Sequence, residues 1–311
     1  MRYLLLKAIG VVLLIIEAVS IRGGRFENKV VMITGGSTGI GFATAMAFAR
    51  EGAKVFFCAR DAKQDWHNGS YAESKINNDP EVKQAGGSAM FVKADVRKIE
   101  DIRNFINIIH QKQAKIDIAV NNAGIGGYIM KIESLKDEYF LGEHDPILTN
   151  LYGTLYLMRE EIRYWMLNGE KNKTYSIVNL ASYNGIRAAP YASMYAASKF
   201  GIIGLTKSAA LEYITSEPKI RINAIAPGLI NTELSRNQVK LKYGQQIWEG
   251  ENILEDNPLW LEYKKQVEEE LTGKRVGEPS EIANMIMFLS DEKSSYVTGT
   301  VLSVDDGQNA K

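Results

Sequence analysis

The chain has 311 residues, 45% of them hydrophobic, and its 37 basic and 37 acidic residues cancel. That composition suits a folded globular protein, and the balanced charge leaves no global field to recruit nucleic acid, so nucleic-acid binding is set aside. Cys58 is the single cysteine, which excludes an internal disulfide or a CxxC metal site, and His67, His110 and His144 are too scattered to suggest a ligand cluster; no metal is expected.

Residues 1–28 stand apart as an N-terminal apolar extension. Leu4 to Ile21 is largely apolar but contains Lys7 and Glu17, and its longest uncharged run, Ala8 to Ile16, is only nine residues; a full span needs about 20. The segment reads first as a helix making peripheral membrane contact through residues 4–21, with a cleaved signal and a dispensable extension as the alternatives. The location expected from this is cytoplasmic, with membrane association resting on that segment alone. Residues 29–311 read as one α/β domain, because strand-like and helix-like stretches alternate without a Pro/Ser-rich linker.

The first element, Val30 to Gly41 (VVMITGGSTGIG), is an apolar strand running into a glycine-rich turn and then a helix. The N-terminus of such a helix offers unpaired N–H groups and a positive dipole end, a natural seat for phosphate. A P-loop is excluded, because Phe42 stands where the phosphate lysine should be. Lys54 to Ala59 is the second strand, and the window beyond it holds Ala59, Arg60 and Asp61. In a dinucleotide-binding fold that window touches the adenosine ribose, so Arg60 points to a 2′-phosphate and to NADP, with NAD left open.

Residues 64–87 predict a helix interrupted by a surface insertion, and Ala89 to Lys93 a third strand ending at Asp95-Val96. Ile102, Phe105, Ile106 and Ile109 give a helical stripe, and Ile116 to Val120 a fourth strand leading into Asn121-Asn122-Ala123-Gly124. A long helix is predicted from about Pro146 to Met166 with Asn150 early in it, then a fifth strand, Tyr175 to Leu180, ending in Ala181-Ser182. Tyr195 and Lys199 follow at i, i+4 spacing, one turn apart on one helix face. An ammonium close to a phenol favours the phenolate and makes tyrosine a usable acid/base, and a serine hydroxyl at a strand end can bind the same substrate oxygen.

TGGSTGIG at 34–41, NNAG at 121–124, Asn150, Ser182, YAASK at 195–199, NAIAPGLINT at 223–232 and VDDG at 304–307 together resemble the short-chain dehydrogenase/reductase family, in the subtype with a TGxxxGxG cofactor loop. The resemblance covers roughly Lys29 to Gly307. It implies a Rossmann-type, doubly wound α/β fold around a seven-stranded parallel sheet, and a hydride transfer between a nicotinamide and a secondary alcohol or carbonyl. By the same resemblance Tyr195 is the general acid/base, Ser182 orients the substrate oxygen, Lys199 lowers the Tyr195 pKa and binds the nicotinamide ribose, and Asn150 holds a water that passes protons to Lys199. The cofactor would lie along Gly35, Ser37, Thr38, Gly39, Ile40 and Gly41 at its pyrophosphate. Asp95 and Val96 would meet the adenine, and Asn122, Ala123 and Gly124 the ribose region. Pro227, Gly228, Ile230 and Thr232 would close over the nicotinamide end.

Residues 229–273 are expected to form a substrate lobe, in which Tyr243, Trp248, Trp260 and Tyr263 either line an apolar pocket or pack the lobe's own core. The family resemblance also implies a homotetramer or homodimer. A catalytically silent dinucleotide-binding sensor or scaffold, and a dehydratase or isomerase of the same fold, are the competing readings; Asn150, Ser182, Tyr195 and Lys199 together argue for the redox enzyme.

Overall fold

The structure is a computed structural model that describes residues 24–60, 68–242 and 258–310. The N-terminal segment 4–21, together with Asp61, Tyr243 and Trp248, therefore lies outside the described residues. Among the described residues no helix is long and apolar enough to cross a membrane.

Seven parallel strands form one sheet in the order β3-β2-β1-β4-β5-β6-β7. They are β1 Val30–Thr34, β2 Lys54–Ala59, β3 Ser88–Lys93, β4 Ile118–Asn121, β5 Thr174–Leu180, β6 Lys219–Pro227 and β7 Val301–Val304. The first five fall within two residues of where the sequence places them. The continuous apolar runs follow from burial on both faces. Val31, Ile33, Val55 and Phe57 pack on one side with Phe48 and Ile286, while Val30, Met32, Phe56 and Cys58 pack on the other with Phe105, Ile109 and Trp165. Each fully buried side chain of this size contributes about 1.5–3 kcal/mol to folding. Cys58 is one of these buried residues, and burial pushes its thiol up to about 12, leaving it unreactive.

The helices on the two faces are α1 Gly39–Arg50, α2 Gly69–Asn78, α3 Pro80–Ala85, α4 Ile99–Gln113, α5 Gly153–Asn168, α6 Ser193–Tyr213, α7 Glu233–Lys242, α8 Pro258–Glu270 and α9 Pro279–Ser290. The interruption expected within 64–87 is the α2/α3 junction, where the Asp79 side chain accepts from the N–H groups of Glu81 and Val82 and Pro80 opens the next helix. Upstream of β1, Phe26 is buried and meets Phe48 edge-on at 4.7 Å.

The long helix predicted from Pro146 is in fact two pieces. Ile147–Tyr152 is a π-helical turn that hands over to α5 at Gly153. Asn150 sits inside that turn, fully buried. Strand order reverses between β1 and β4, the switch point at which open α/β sheets bind ligands beyond the strand ends.

Candidate active site

The C-terminal ends of β1, β4, β5 and β6 open into one cleft of about 600 Å³. The glycine loop (Gly35, Ser37, Thr38, Gly39, Ile40) forms one wall and Asn122, Ala123 and Gly124 the floor. Ser182, Tyr195 and Lys199 form the opposite wall, and Pro227, Gly228, Ile230 and Thr232 the rim. A neighbouring pocket of about 320 Å³ shares Gly35, Ser37, Ala123 and Gly124 with this cleft and adds Arg60, Asp95 and Val96. Gly41 and Asn150 line neither; they support the wall from behind. A groove of about 780 Å³ on the outer face of α1 touches this region only through Ser37, Thr38, Gly39, Thr232 and Glu233, and none of the four expected catalytic residues lines it.

The loop is shaped by glycine at two points. Gly35 has φ of +66°, and a Cβ there would fall 2.9 Å from both Ala123 Cα and Asn122 Nδ2; a Cβ on Gly41 would fall 2.0 Å from the Gly35 carbonyl oxygen. Asn122 then ties β1 to β4. Its Nδ2 donates to Thr34 O at 2.9 Å and Gly35 O at 3.0 Å, while Thr34 Oγ1 accepts the N–H groups of Asn122 and Ala123. Thr38, at the N-cap of α1, makes no side-chain cap bond, so the first-turn N–H groups remain for an anion. A side-chain-free backbone cradle at a helix N-terminus suits a pyrophosphate, and the pocket beside it has room for the rest of a dinucleotide. The residues present fit NAD(P).

In the neighbouring pocket Arg60 Nη1 lies 3.1 Å from Glu143 Oε1. Burial pushes the Asp95 carboxyl up, but the hydrogen bonds and charge of Arg97, with a further contribution from Arg60, outweigh it and hold Asp95 below the usual carboxylate range. Arg97 grips that carboxylate with Nε at 3.0 Å from both oxygens and Nη2 at 2.6 Å.

On the catalytic wall, Ser182 stands two residues past the end of β5, accepts the N–H of Asn184 at 3.2 Å and shares a hydrogen bond with the Tyr195 phenol. Lys199 is 5% exposed; its Nζ donates to Leu180 O at 2.7 Å and lies 5.7 Å from the Tyr195 ring centroid. Burial pushes the lysine down to about 7. Burial also pushes the Tyr195 phenol above its ordinary value, and the Ser182 hydrogen bond offsets part of that. The expected lowering of the phenol by the ammonium is thus not realised in this structure. The lysine turns to a backbone carbonyl, and loss of water disfavours both charged forms.

The Asn150 side chain ties two elements together. Its Oδ1 accepts Ile125 N–H at 2.8 Å, and its Nδ2 donates to Ile125 O at 3.0 Å and Ser198 Oγ at 3.1 Å; Ser198 Oγ in turn donates to Tyr195 O at 2.7 Å. The amide therefore fastens the loop after Gly124 to the backbone of α6. A Cβ on Gly124 would stand 3.1 Å from Asn150 Oδ1 and 3.6 Å from Lys199 Nζ, so this glycine keeps the two apart without blocking either.

Sequence reading missed three residues at the site. Glu143 reaches the Arg60 pocket from the long loop before the π turn. Gln308 reaches the cleft because β7 pairs with β6, which brings it opposite Gly228. Ser198 looks like an ordinary helix residue until Asn150 is placed beside it. In the lobe, Tyr263 lines the cleft, whereas Trp260 is 1% exposed and packs against Tyr263, serving the lobe's core.

Residues 35–309 match the family model described as enoyl-(acyl carrier protein) reductase. The chain belongs to the short-chain dehydrogenase/reductase family. It is 35% identical to the 3-oxoacyl-(acyl-carrier-protein) reductase of Thermotoga maritima, covering 91% of this chain and 98% of that protein. It is 31% identical to the 3beta-hydroxysteroid dehydrogenase of Mediterraneibacter gnavus, covering 91% and 96%. Among solved structures, a variant of actinorhodin polyketide ketoreductase with NADPH superposes with a TM-score of 0.75 at 28% identity, over 93% of this chain and 100% of that one. This short-chain dehydrogenase/reductase is accordingly an NAD(P)-dependent oxidoreductase acting between an alcohol and a carbonyl.

Proposed function

We propose that the cleft reduces an apolar ketone, or oxidises the corresponding secondary alcohol, with NADP(H), and that Tyr195 is the general acid/base. The observation that carries this reading is the single wall on which Ser182, Tyr195 and Lys199 face the glycine cradle. When bound, the nicotinamide supplies or accepts the hydride. Ser182 orients the substrate oxygen, and Tyr195, kept neutral by burial, donates its phenolic proton to that oxygen as charge develops there. Lys199 binds the nicotinamide ribose and, with its pKa near neutrality, is suited to resupply the proton. Asn150 is a positioning residue that fixes the loop and α6 around the reacting atoms.

Arg60 supports NADP(H) over NAD(H), and the ketoreductase solved with NADPH agrees with it. The pyrophosphate would lie on Gly35 to Gly41, the adenine by Asp95 and Val96, and the riboses by Asn122 to Gly124, with Pro227, Gly228, Ile230 and Thr232 at the nicotinamide. Ala189, Leu229, Leu234, Tyr263, Val267 and Leu271 make the substrate side apolar. Hydroxysteroids and 3-oxoacyl-(acyl-carrier-protein), the substrates named for the two relatives, are the first classes to test. Purified enzyme offered NADPH or NADH with a panel of apolar ketones should consume NADPH faster and form the alcohol. A faster rate with NADH would overturn the cofactor assignment.

The working domain in this reading is 29–311, with 229–273 as the substrate lobe and 1–28 as an extension that joins it through buried Phe26 and whose residues 4–21 would give a cytoplasmic enzyme peripheral membrane contact. Leu167 on α5 and Leu211 on α6, 83% and 75% exposed, and the fully exposed Tyr296 beside β7 support a homotetramer or homodimer. Light scattering on the eluting protein should show an oligomer, and a monomer would refute this.

A further inference from the structure

The pocket that would take the adenosine ribose carries more acid than a phosphate site needs. Among the described residues lining it, Arg60 is the one cation, and Asp95 and Glu143 are both carboxylates. Asp95 is neutralised by Arg97, which grips it through three contacts. Among the described residues Glu143 has no such partner of its own in the pocket; its Oε1 takes Arg60 Nη1 at 3.1 Å.

Glu143 is held there by bonds in which Arg60 takes no part. Arg97 Nη1 donates to the Glu143 carbonyl at 3.2 Å. Two residues on, Asp145 is 3% exposed, and its carboxylate accepts Leu141 N–H at 2.9 Å and Ile147 N–H at 2.7 Å, closing the loop on either side of Glu143. The backbone thus delivers a carboxylate to the pocket edge whether or not Arg60 is present. The Arg60 and Glu143 side chains are 45% and 58% exposed, and ion pairs that wet are weak. A phosphate dianion, able to accept two parallel N–H bonds from a guanidinium, is the stronger partner.

We propose that Glu143 is an internal competitor for the cofactor's 2′-phosphate and hence a specificity-determining residue. Its carboxylate holds Arg60 until a 2′-phosphate displaces it, which weakens NADP(H) binding. NAD(H), with a hydroxyl at that position, has no need to displace it. The proposal rests on the assignment of Arg60 to the 2′-phosphate made above.

Calorimetric titration of the full chain with NADPH and with NADH at fixed low salt tests it, using Glu143→Gln, Arg60→Gln and the double variant. Both side chains are well exposed, so the variants should fold, and circular dichroism checks that they do. Glu143→Gln should tighten NADPH roughly two- to fivefold and leave NADH unchanged, while Arg60→Gln weakens NADPH at least about tenfold. In the Arg60→Gln background the Glu143→Gln gain should vanish, because there is no guanidinium left to release. The competitor role is overturned, with the Arg60 assignment standing, if Arg60→Gln weakens NADPH but Glu143→Gln leaves it unchanged, tightens both cofactors alike, or keeps its gain without Arg60. If Arg60→Gln leaves NADPH binding unchanged, the assignment itself fails and the competitor role falls with it.

Discussion

At Tyr195 and Lys199 burial outweighs charge. Spacing alone suggested that a cation one turn away would pull the phenol down, yet the lysine is turned to Leu180 O, and desolvation raises the phenol and lowers the lysine. The consequence for the free enzyme is that Tyr195 stays a proton donor through neutral pH. The difference in tyrosinate absorbance between wild type and Tyr195→Phe should therefore appear at higher pH than for a free tyrosine; tyrosinate forming at lower pH than free tyrosine would contradict this. Lys199 gives a second reading of the same environment. Its native pKa of about 7 lies below the unfolded value near 10.4, so between those pH values the unfolded chain binds the extra proton and stability rises with pH. Lys199→Met should flatten that slope and raise the melting temperature at pH 7 while turnover is lost. An unchanged slope would show that the lysine is charged in the native state.

The elements were legible where burial dictates them. Strands β1, β2 and β4 are apolar runs ended by small or polar residues, and the helix stripe at Ile102, Phe105, Ile106 and Ile109 is buried as its period requires. The turn at Ile147–Tyr152 was not legible, because a π-helical turn uses the same residue types as the α-helix around it and is decided by what Asn150 must reach. Glu143 was hidden for a similar reason: nothing in a polar loop indicates which carboxylate will be brought back to β2. In α5 the sequence conceals a cost as well. Glu161 is 1% exposed, accepts one bond from Asn121 Nδ2 at 3.1 Å, and its Oε1 has no hydrogen-bond partner among the described residues. Burial pushes this carboxyl up to about 8, against the smaller opposing effect of Asn121. The native state keeps a proton that the unfolded chain loses near pH 4.3, so stability falls as pH rises from there to about 8 and then levels off. Glu161→Gln, which keeps an acceptor for Asn121, should raise the melting temperature by about 5 °C at pH 8 and by almost nothing at pH 5. A gain independent of pH would mean that Glu161 is not protonated in the fold.

Over the whole molecule, the site is a product of topology. The glycine loop near residue 35, the β4 end near 122, Ser182, the α6 pair and the rim at 227–232 are far apart in sequence, and strand order alone sets them around one cleft. The resemblance carried by their motifs made the fold readable in advance and named Ser182, Tyr195 and Lys199, which one cleft brings together. What it left out is what this chain adds between the motifs, namely the loop that delivers Glu143, the apolar face of α8, and Gln308 arriving from beyond β7. The central claim is that Tyr195 supplies the proton in carbonyl reduction while the cofactor seat is built from other residues. The most direct test is Tyr195→Phe, with kcat for NADPH-dependent ketone reduction and NADPH affinity measured on the same preparation. The account predicts a fall in kcat of roughly 10²–10⁴-fold with NADPH affinity within about twofold of wild type. A variant that turns over at the wild-type rate would remove Tyr195 from the chemistry and contradict the account.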